Sequence, residues 1–551
     1  MDKHLLTLWS SVPSGNIKQK KLADVLSLST KQTARYIQKW STEGWLTFNS
    51  GLGRGNVSTL LWLKNVEAVF EEHVTKLIDE EPVELSSKYL LLDWSTDCKQ
   101  RLMNTFHSKF GYLQTTNDKL VVRRKYPFLT IHPLKAADVN SANLVANIFN
   151  RLVAVDEKGI VLPELAHSWD ITPTKIRFYL KKDIRFHDGS ILTAEDVVIC
   201  LNKLRSYPQF QDLWAPVKSI SVPAPLVIDI CFPSRCSYCL HMLGTMNASI
   251  YKENNGDIFG TGCFYVQDNN DLKTTLVAFK DYFGERPLLD LVEFVQVPHN
   301  FEVVYSSSTQ TKDRPTFQVE SDSGFGVVIM NSFRNTPIRR KEIRDYVHYV
   351  IAKHRHEISK SDARILPNHQ GCLIGQSQTY VTQEVKRPDF SVPLILKIVN
   401  YTEKTTMWIK DVLEKEGIPI EVKWVSFMDT IYDDTDNLHV DLFIHGEIFD
   451  LNQNFSFFHF LKNGYSPLAT IMKIDKTLSR YLTDYALTPF DDWSSLNLKV
   501  EKALLENSIM IPLYYAKRQI PFSADLMNIN IKHFGYVDFS KLWVQPNIEP
   551  T

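Results

Sequence analysis

Long apolar runs are missing from this sequence: nowhere do about 18 apolar residues follow one another, the length a bilayer-crossing helix needs. A secretory leader is not visible either. Such a leader has a basic start and roughly 7–15 unbroken apolar residues before a small-residue cleavage site. Here Leu5, Leu6, Leu8 and Trp9 are broken by Thr7 and followed by SSVPSGNIKQKK. Cysteine is scarce, seven in 551 residues, an odd number without framework spacing, as reduced thiols have. These features predict a cytoplasmic chain with no membrane partner. Signatures of chemistry are lacking as well. The sequence has no HExxH helix, no phosphate-cradling glycine loop and no Ser-His-Asp constellation, and the pairs Asp433-Asp434 and Asp491-Asp492 read as loop charge. No catalytic residue, cofactor or metal is expected.

What is present is a globular composition, 44% hydrophobic and 23% charged. A single core rarely grows beyond about 250–300 residues, so 551 residues imply several domains. The formal net charge of −1 hides an asymmetry. Residues 1–64 hold nine Lys or Arg against three Asp or Glu, a net of +6, which leaves −7 on the remainder.

The basic head has helical spacing in KHLLTLWSSV (Leu5, Leu8, Trp9), in KKLADVLSL (Leu22, Val25, Leu26) and in KQTARYIQKWSTEG (Ala34, Ile37, Trp40 or Ser41). Between the last two, LST makes a tight turn, with Ser29 or Thr30 as helix cap. Gly44 sits where a left-handed backbone ends the helix. WLTF and VSTLLWL alternate as strands around the glycine-rich tip NSGLGRGN. Helix, helix, turn, helix and β-hairpin in that order form a winged helix-turn-helix. Its third helix shows Lys31, Gln32, Arg35, Tyr36 and Lys39 on the outer face, and the hairpin tip carries Arg54 and Asn56. Gln32 can pair with adenine and Arg35 with guanine, while Lys31, Lys39 and Arg54 neutralise phosphates. Double-stranded promoter DNA is the expected partner. So small a head would act in two copies on adjacent half-sites, which makes a homodimer on DNA the corresponding expectation. After it, NVEAVFEEHVTKLIDEEP offers Val66, Val69, Phe70 and Leu77 for packing, and Pro82 separates this helix from further helical sequence.

Beyond residue 117 a series of ordered segments carries a resemblance. LVANIFNRLVAVDEKGIVLPELAHSWDI is followed by IRFYLKKDIRFHDGSILTAEDVV, by IFGTGCFYV and by AFKDYFGERPLLDLVEFVQVP. Together these are similar to the peptide- and nickel-type extracytoplasmic solute-binding proteins, with Cys263 where proline is usual. Fainter matches follow in VVIMNSFRNTPIRRKEIRDYVHYVIAK, VDLFIHGEIFD and SIMIPLYYAKRQI. The residues have local jobs too. Asp188-Gly189 supplies a tight turn and Thr193 caps the helix AEDVVICLNKL. His187 reads as a turn histidine, and Cys231, Cys236, Cys239 and His241 as packed side chains of a strand, a turn and a short helix, although Cys236 and Cys239 have zinc spacing. The resemblance implies a ligand cleft between two lobes, with Glu447, Phe449 and Asp450 from one lobe and Tyr126, Ser141 and Asn143 from the other. Glu447 stands where the family often has tryptophan.

A winged head fused to such a body resembles the SgrR family of bacterial transcriptional regulators. The expected architecture is multidomain. An N-terminal α+β winged helix-turn-helix over 1–64 and a helical connector over 65–117 precede an α/β two-lobed, periplasmic-binding-protein-like (type II) sensing domain over 118–551. Its first lobe covers about 118–297 and 505–551, its second about 298–504. The resemblance implies a cytoplasmic regulator that senses a small metabolite (a sugar, sugar phosphate or oligosaccharide) and controls transport and sugar-stress genes. The alternative is a transporter-type solute-binding protein for peptides or oligosaccharides with an N-terminal docking domain.

Overall fold

The computed structural model describes residues 1–51, 57–107, 109–114, 118–124, 126–156, 158–296, 316–377, 379–432, 439–449, 452–463, 467–523, 526–532 and 536–544. The N-terminal unit opens with α1 (Lys3–Ser11), capped by the Asp2 carboxylate, which accepts from His4 N at 3.1 Å. Strand β1 (Gly15–Ile17) follows, then α2 (Gln19–Leu26) and α3 (Thr30–Thr42). Ser27 takes the left-handed conformation that turns α2 into α3, and Gly44, at φ +72°, ends α3. The wing is β2 (Leu46–Asn49) and β3 (Ser58–Trp62), and β1 joins it in the order β1-β3-β2.

The buried face of α3 is Thr33, Ile37 and Trp40. Thr33 takes the core position predicted for Ala34, because its hydroxyl donates to Ser29 O at 3.0 Å and is buried with its partner satisfied. In α2 the buried set is Leu22, Ala23 and Leu26, and Val25 lies at the margin. In α1 it is Leu5, Leu6 and Leu8, while Trp9 is half-buried, edge-on to Trp62 at 5.0 Å.

The acidic segment after the wing completes this core. Helix α4 (Val66–Glu80) buries Val66, Phe70, Val74 and Ile78, one residue per turn, and leaves Val69 exposed. Helix α5 (Thr96–His107) adds Cys98, Leu102, Met103 and Phe106 to the same continuous cluster, which runs back to Leu5. Arg101 clamps Glu71 across the two helices, and Glu67 accepts from Ser95 N and Oγ at the start of α5. The connector is thus a packed part of the head.

Residues 108–110 alone separate α5 from β4 (Gly111–Gln114), the edge strand of a five-stranded sheet in the first lobe. β4 pairs antiparallel with β5 (Asp118–Arg124). Helix α6 (Val139–Ile148) packs on this lobe, and β6 (Ala166–Thr172), β7 (Lys175–Leu180), α7 (Ala194–Ser206), β8 (Ser219–Ala224), β9 (Val227–Cys231) and α8 (Cys239–Leu243) follow. Strands β8, β9, β7 and β6, in that order, form a second, four-stranded sheet. β10 (Phe264–Asn269), β11 (Lys273–Ala278) and β12 (Leu291–Gln296) then complete the first, in the order β10-β11-β12-β5-β4, with β12 parallel to β5.

The second lobe is built on a six-stranded sheet. Its members are β13 (Thr316–Met330), β14 (Ile365–Pro367), β15 (Leu394–Ile398), β16 (Ile420–Trp424), β17 (Leu442–Glu447) and β18 (Met510–Ser523). They lie in the order β14-β18-β13-β17-β15-β16, so β18, expected in the first lobe as part of 505–551, belongs to the second, where its long antiparallel pairing with β13 holds it. Helices α9 (Lys341–His354) and α10 (Glu403–Lys415) cover it. Between β17 and β18 come α11 (Gln453–Asn463), α12 (Pro467–Ile474), α13 (Leu478–Leu487) and α14 (Trp493–Glu506). These pack against the first lobe: Ser237 Oγ donates to Tyr485 O at 2.7 Å, Tyr238 lies 4.9 Å from Phe458, and the His241 ring stacks on Phe490 at 3.5 Å.

The FHDGSILTAEDVV stretch does the local work its residues predict. Gly189 turns at φ +83°, and Thr193 and Asp196 form a reciprocal capping box for α7. His187 accepts from Gly260 N at Nδ1 and donates from Nε2 to Gly262 O at 3.0 Å, which ties the turn to the GTG segment. Those glycines are needed for contact: a Cβ on Gly260 or Gly262 would lie 2.1 or 2.4 Å from backbone atoms of Ile148 at the end of α6.

Candidate functional site

Two regions hold the residues singled out from the sequence. In the head, Lys31 and Arg35 are exposed and make no hydrogen bond or ion pair with other described residues. The other three on α3 are engaged internally. The Gln32 carboxamide oxygen accepts from Ser29 N at 3.2 Å and Ser29 Oγ at 2.8 Å, and Ser29 Oγ accepts from Gln32 N, a complete capping box. Tyr36 is half-buried, with ring centroids 5.2 Å from both His4 and Trp40. Lys39 faces Asp2 at 3.4 Å and Glu43 at 3.9 Å. Asp2 also accepts from Trp40 Nε1 at 3.0 Å, so a single carboxylate fastens α1 to α3. Arg54 and Asn56 lie outside the described residues. Lys18, Lys20 and Lys21 are exposed around the start of α2 and extend the positive surface.

In the body, β17 ends in His445, Gly446 and Glu447. The position of Glu447 follows from the neighbouring strand. β13 shifts register between Asp322 and Phe325, and Gly324, at φ +98°, presses so closely on Glu447 O that a Cβ there would lie 2.1 Å from it. The Glu447 carboxylate is half-exposed and meets His445 Nε2 at 2.8 Å. The His445 ring is buried and stacked on Phe460 at 5.4 Å, and its Nδ1 has no hydrogen-bond partner. Phe449 lies 4.8 Å from Phe325, at the edge of an aromatic wall with Phe457 and Phe460. Tyr514 spreads over Gly326, and a Cβ on Gly446 would stand 3.6 Å from its hydroxyl and 3.9 Å from the Tyr401 ring. Burial pushes the Tyr514 phenol up to about 12, so it stays a hydrogen-bond donor. Asp450 lies outside the described residues.

The three first-lobe candidates are placed differently. Tyr126 is 54% exposed. Ser141 is fully buried near the start of α6, its hydroxyl accepting from Thr130 N at 3.3 Å. Asn143 is buried and accepts from Asn147 Nδ2 through its backbone and side-chain oxygens. The structure therefore groups Glu447 and Phe449 and adds His445 on the same face of β17, while Tyr401 and Tyr514 stand by Gly446 on the opposite face; the sequence reading singled out none of these three. No periodicity marks these three; Tyr514 lies near β17 because β17 and β18 both flank β13, and Tyr401 because it follows β15, the other neighbour of β17. The cysteines beside His241 are packing groups: Cys239 is wholly buried, and burial pushes the Cys236 thiol up to about 11. Among the described residues no three His, Cys, Asp or Glu side chains converge as a metal site would require. Among the same residues no helix is long and apolar enough to cross a membrane.

Comparison with known proteins joins the two regions. Residues 5–112 match the family described as sugar transport-related sRNA regulator, N-terminal, and residues 161–313 match the middle part of the bacterial extracellular solute-binding proteins, family 5. The first match ends where the head core gives way to β4. Over 99% of both chains, the sequence is 24% identical to the HTH-type transcriptional regulator SgrR of Yersinia enterocolitica. Over nearly its whole length the chain is similar to SgrR regulators. The SgrR of Photorhabdus laumondii is 22% identical over 96% of this chain and 95% of its own. The two-lobed part of the chain has solved neighbours as well. DppA of Helicobacter pylori in complex with peptide STSA superposes with a TM-score of 0.63 at 17% identity, covering 78% of this chain and 98% of that one. NikA of Brucella suis in complex with Fe(III)-EDTA gives 0.63 at 14%, covering 78% and 100%. At such identities these two establish the fold alone, a two-lobed binding-protein body behind the SgrR-type head.

Proposed function

We propose that this chain is a DNA-binding transcriptional regulator whose two-lobed body takes up a small metabolite and thereby changes how the head holds its promoter. The observation that carries this reading is the joint between the two parts. The head core ends at Phe106, and β4 is already in the first lobe's sheet at Gly111. Phe110 packs on Phe106 at 5.3 Å, Lys109 pairs with Asp79 on α4 at 2.9 Å, and Lys273 on β11 approaches Glu84 at 3.5 Å. A displacement of that sheet is passed to the head without a slack linker to absorb it. Lobe closure over a ligand is a hinge motion of the kind that produces such displacements.

The ligand is a sugar or a sugar derivative. The half-exposed Glu447 carboxylate beside the flat rings of Phe449 and Phe460 complements a polyhydroxylated molecule, which needs acceptors and an apolar face together. The protein works in the cytoplasm, where the promoter is, and two copies occupy adjacent half-sites. Transport and sugar-stress genes are its targets, in keeping with the sugar-transport-related family description that residues 5–112 match. The test is promoter binding by the full-length protein, followed by fluorescence anisotropy against a panel of sugars, sugar phosphates and short peptides. One sugar-class compound should shift the DNA dissociation constant about 5- to 150-fold, the usual range of coupling between two sites. A compound that raises the melting temperature yet leaves DNA affinity unchanged would refute the coupling.

A further inference from the structure

We infer that Gln38, with Arg35, reads the base sequence, and that Gln32 does not; this rests on the DNA-binding reading above. The buried side of α3 recurs as Thr33, Ile37 and Trp40, at spacings of four and three. The same spacing recurs about 160° around the helix, at 100° per residue, as Lys31, Arg35, Gln38 and Thr42. All four are exposed. This is the ridge that points straight away from the head's core, and so the one that enters a major groove first. Gln32, Tyr36, Lys39 and Glu43 occupy the flank of α3 that turns toward the start of α1. There Tyr36 meets His4 and Lys39 meets Asp2.

The hydrogen-bonding state of each side chain agrees with that placement. Reading adenine needs a free amide oxygen and a free amide nitrogen together, accepting from N6 and donating to N7. Gln32 has committed its oxygen to Ser29, and leaving the cap would uncover two backbone or hydroxyl donors at the helix start. Gln38 has neither side-chain atom engaged with a described residue; beyond the helix's own backbone bonds, its carbonyl accepts from Thr42 Oγ1 at 2.9 Å. Arg35 likewise offers its whole guanidinium to guanine O6 and N7. Three residues apart, the two side chains leave the helix about 4.5 Å apart along its axis. That is close to the roughly 3.4 Å separating successive base pairs, so they address neighbouring positions. Lys31, in the first turn, is placed for a phosphate.

The experiment selects duplexes from a randomised library with the full-length protein and then measures anisotropy on the selected duplex and its single-base variants. The wild type should discriminate an adenine and a neighbouring guanine. Gln38→Ala should lose about 5- to 150-fold of discrimination at the adenine alone, and Gln38→Glu should move the preference there to cytosine, whose N4 donates. Gln32→Ala should keep the wild-type pattern while lowering the melting temperature. A Gln38→Ala protein that discriminates as the wild type does, or a Gln32→Ala protein that loses a base, overturns the assignment. A wild type that enriches no sequence overturns the DNA-binding reading itself.

Discussion

At the scale of single residues, the structure shows polar side chains already committed to partners inside the protein. His348 is 2% exposed, shares a hydrogen bond with Ser508 Oγ through Nδ1, and buries Nε2 without a partner. Burial lowers its pKa to about 3, and burial likewise lowers His241 and His187 to about 4. In the unfolded chain these imidazoles take up a proton near pH 6.5. Between that pH and the folded values the unfolded state binds more protons. Stability is therefore complete above about pH 6.5 and declines as the pH falls through that window. Thermal melts between pH 7.5 and about 4 should show a falling midpoint, and His348→Gln should make that decline shallower. An unchanged slope would mean that His348 accepts its proton without unfolding.

At the scale of elements, close backbone approach and short connections decide the outcome. Gly262 donates its N–H to Ile148 O at 2.8 Å, with no room for a side chain between the segments. Gly262→Ala must push a strand entry away from the end of α6 and should destabilise the protein by about 1–3 kcal/mol, as overpacking does, measurable by urea unfolding. The α5–β4 junction has the opposite sensitivity. A Gly-Ser insertion between Phe110 and Gly111 leaves both cores intact, so ligand-free DNA affinity should stay within about twofold while the ligand's effect on it, about 5- to 150-fold in the intact protein, falls toward unity. An insertion that leaves the ligand effect at full size would show that the signal takes another route.

At the scale of the whole molecule, a net of +6 over residues 1–64 stands against −7 on the remainder, of which residues 65–110, packed into the head, hold −4 and the body −3. The acidic residues of the connector helices and of the body repel DNA, so the duplex is directed to the basic surface of α2 and α3. Lys18, Lys20, Lys21 and Lys31 are exposed without ion-pair partners among the described residues, and Arg54 is a proposed fifth contact. With about five phosphates neutralised, DNA affinity should fall about 500-fold as monovalent salt rises from about 50 to 200 mM. A flat salt titration would place the contact surface elsewhere.

Much of the architecture was legible in the sequence because it is written in short-range rules. The Thr193 box, the Ser29 cap, the Asp188-Gly189 turn and Gly44 each depend on residues within one or two turns of themselves. The ordered motifs from IFNRLV to FGERP identify the body because each does a fixed local job. The spacing of α4 gave its helix but not its inner face. Val74 and Ile78 were buried in place of Val69 by the positions of α1 and α5, which a single helix does not encode. The sequence by itself thus determined which helices, caps and turns form, and the charge division between head and body. Only the tertiary structure decided that Gln32, Lys39, Ser141 and Asn143 are engaged internally, that Gln38 is free, and that His445, Glu447 and Phe449 come together. A side chain's hydrogen-bonding capacity is finite, and in the folded chain its neighbours, from nearby turns or from distant segments, decide how much remains for a ligand or a base.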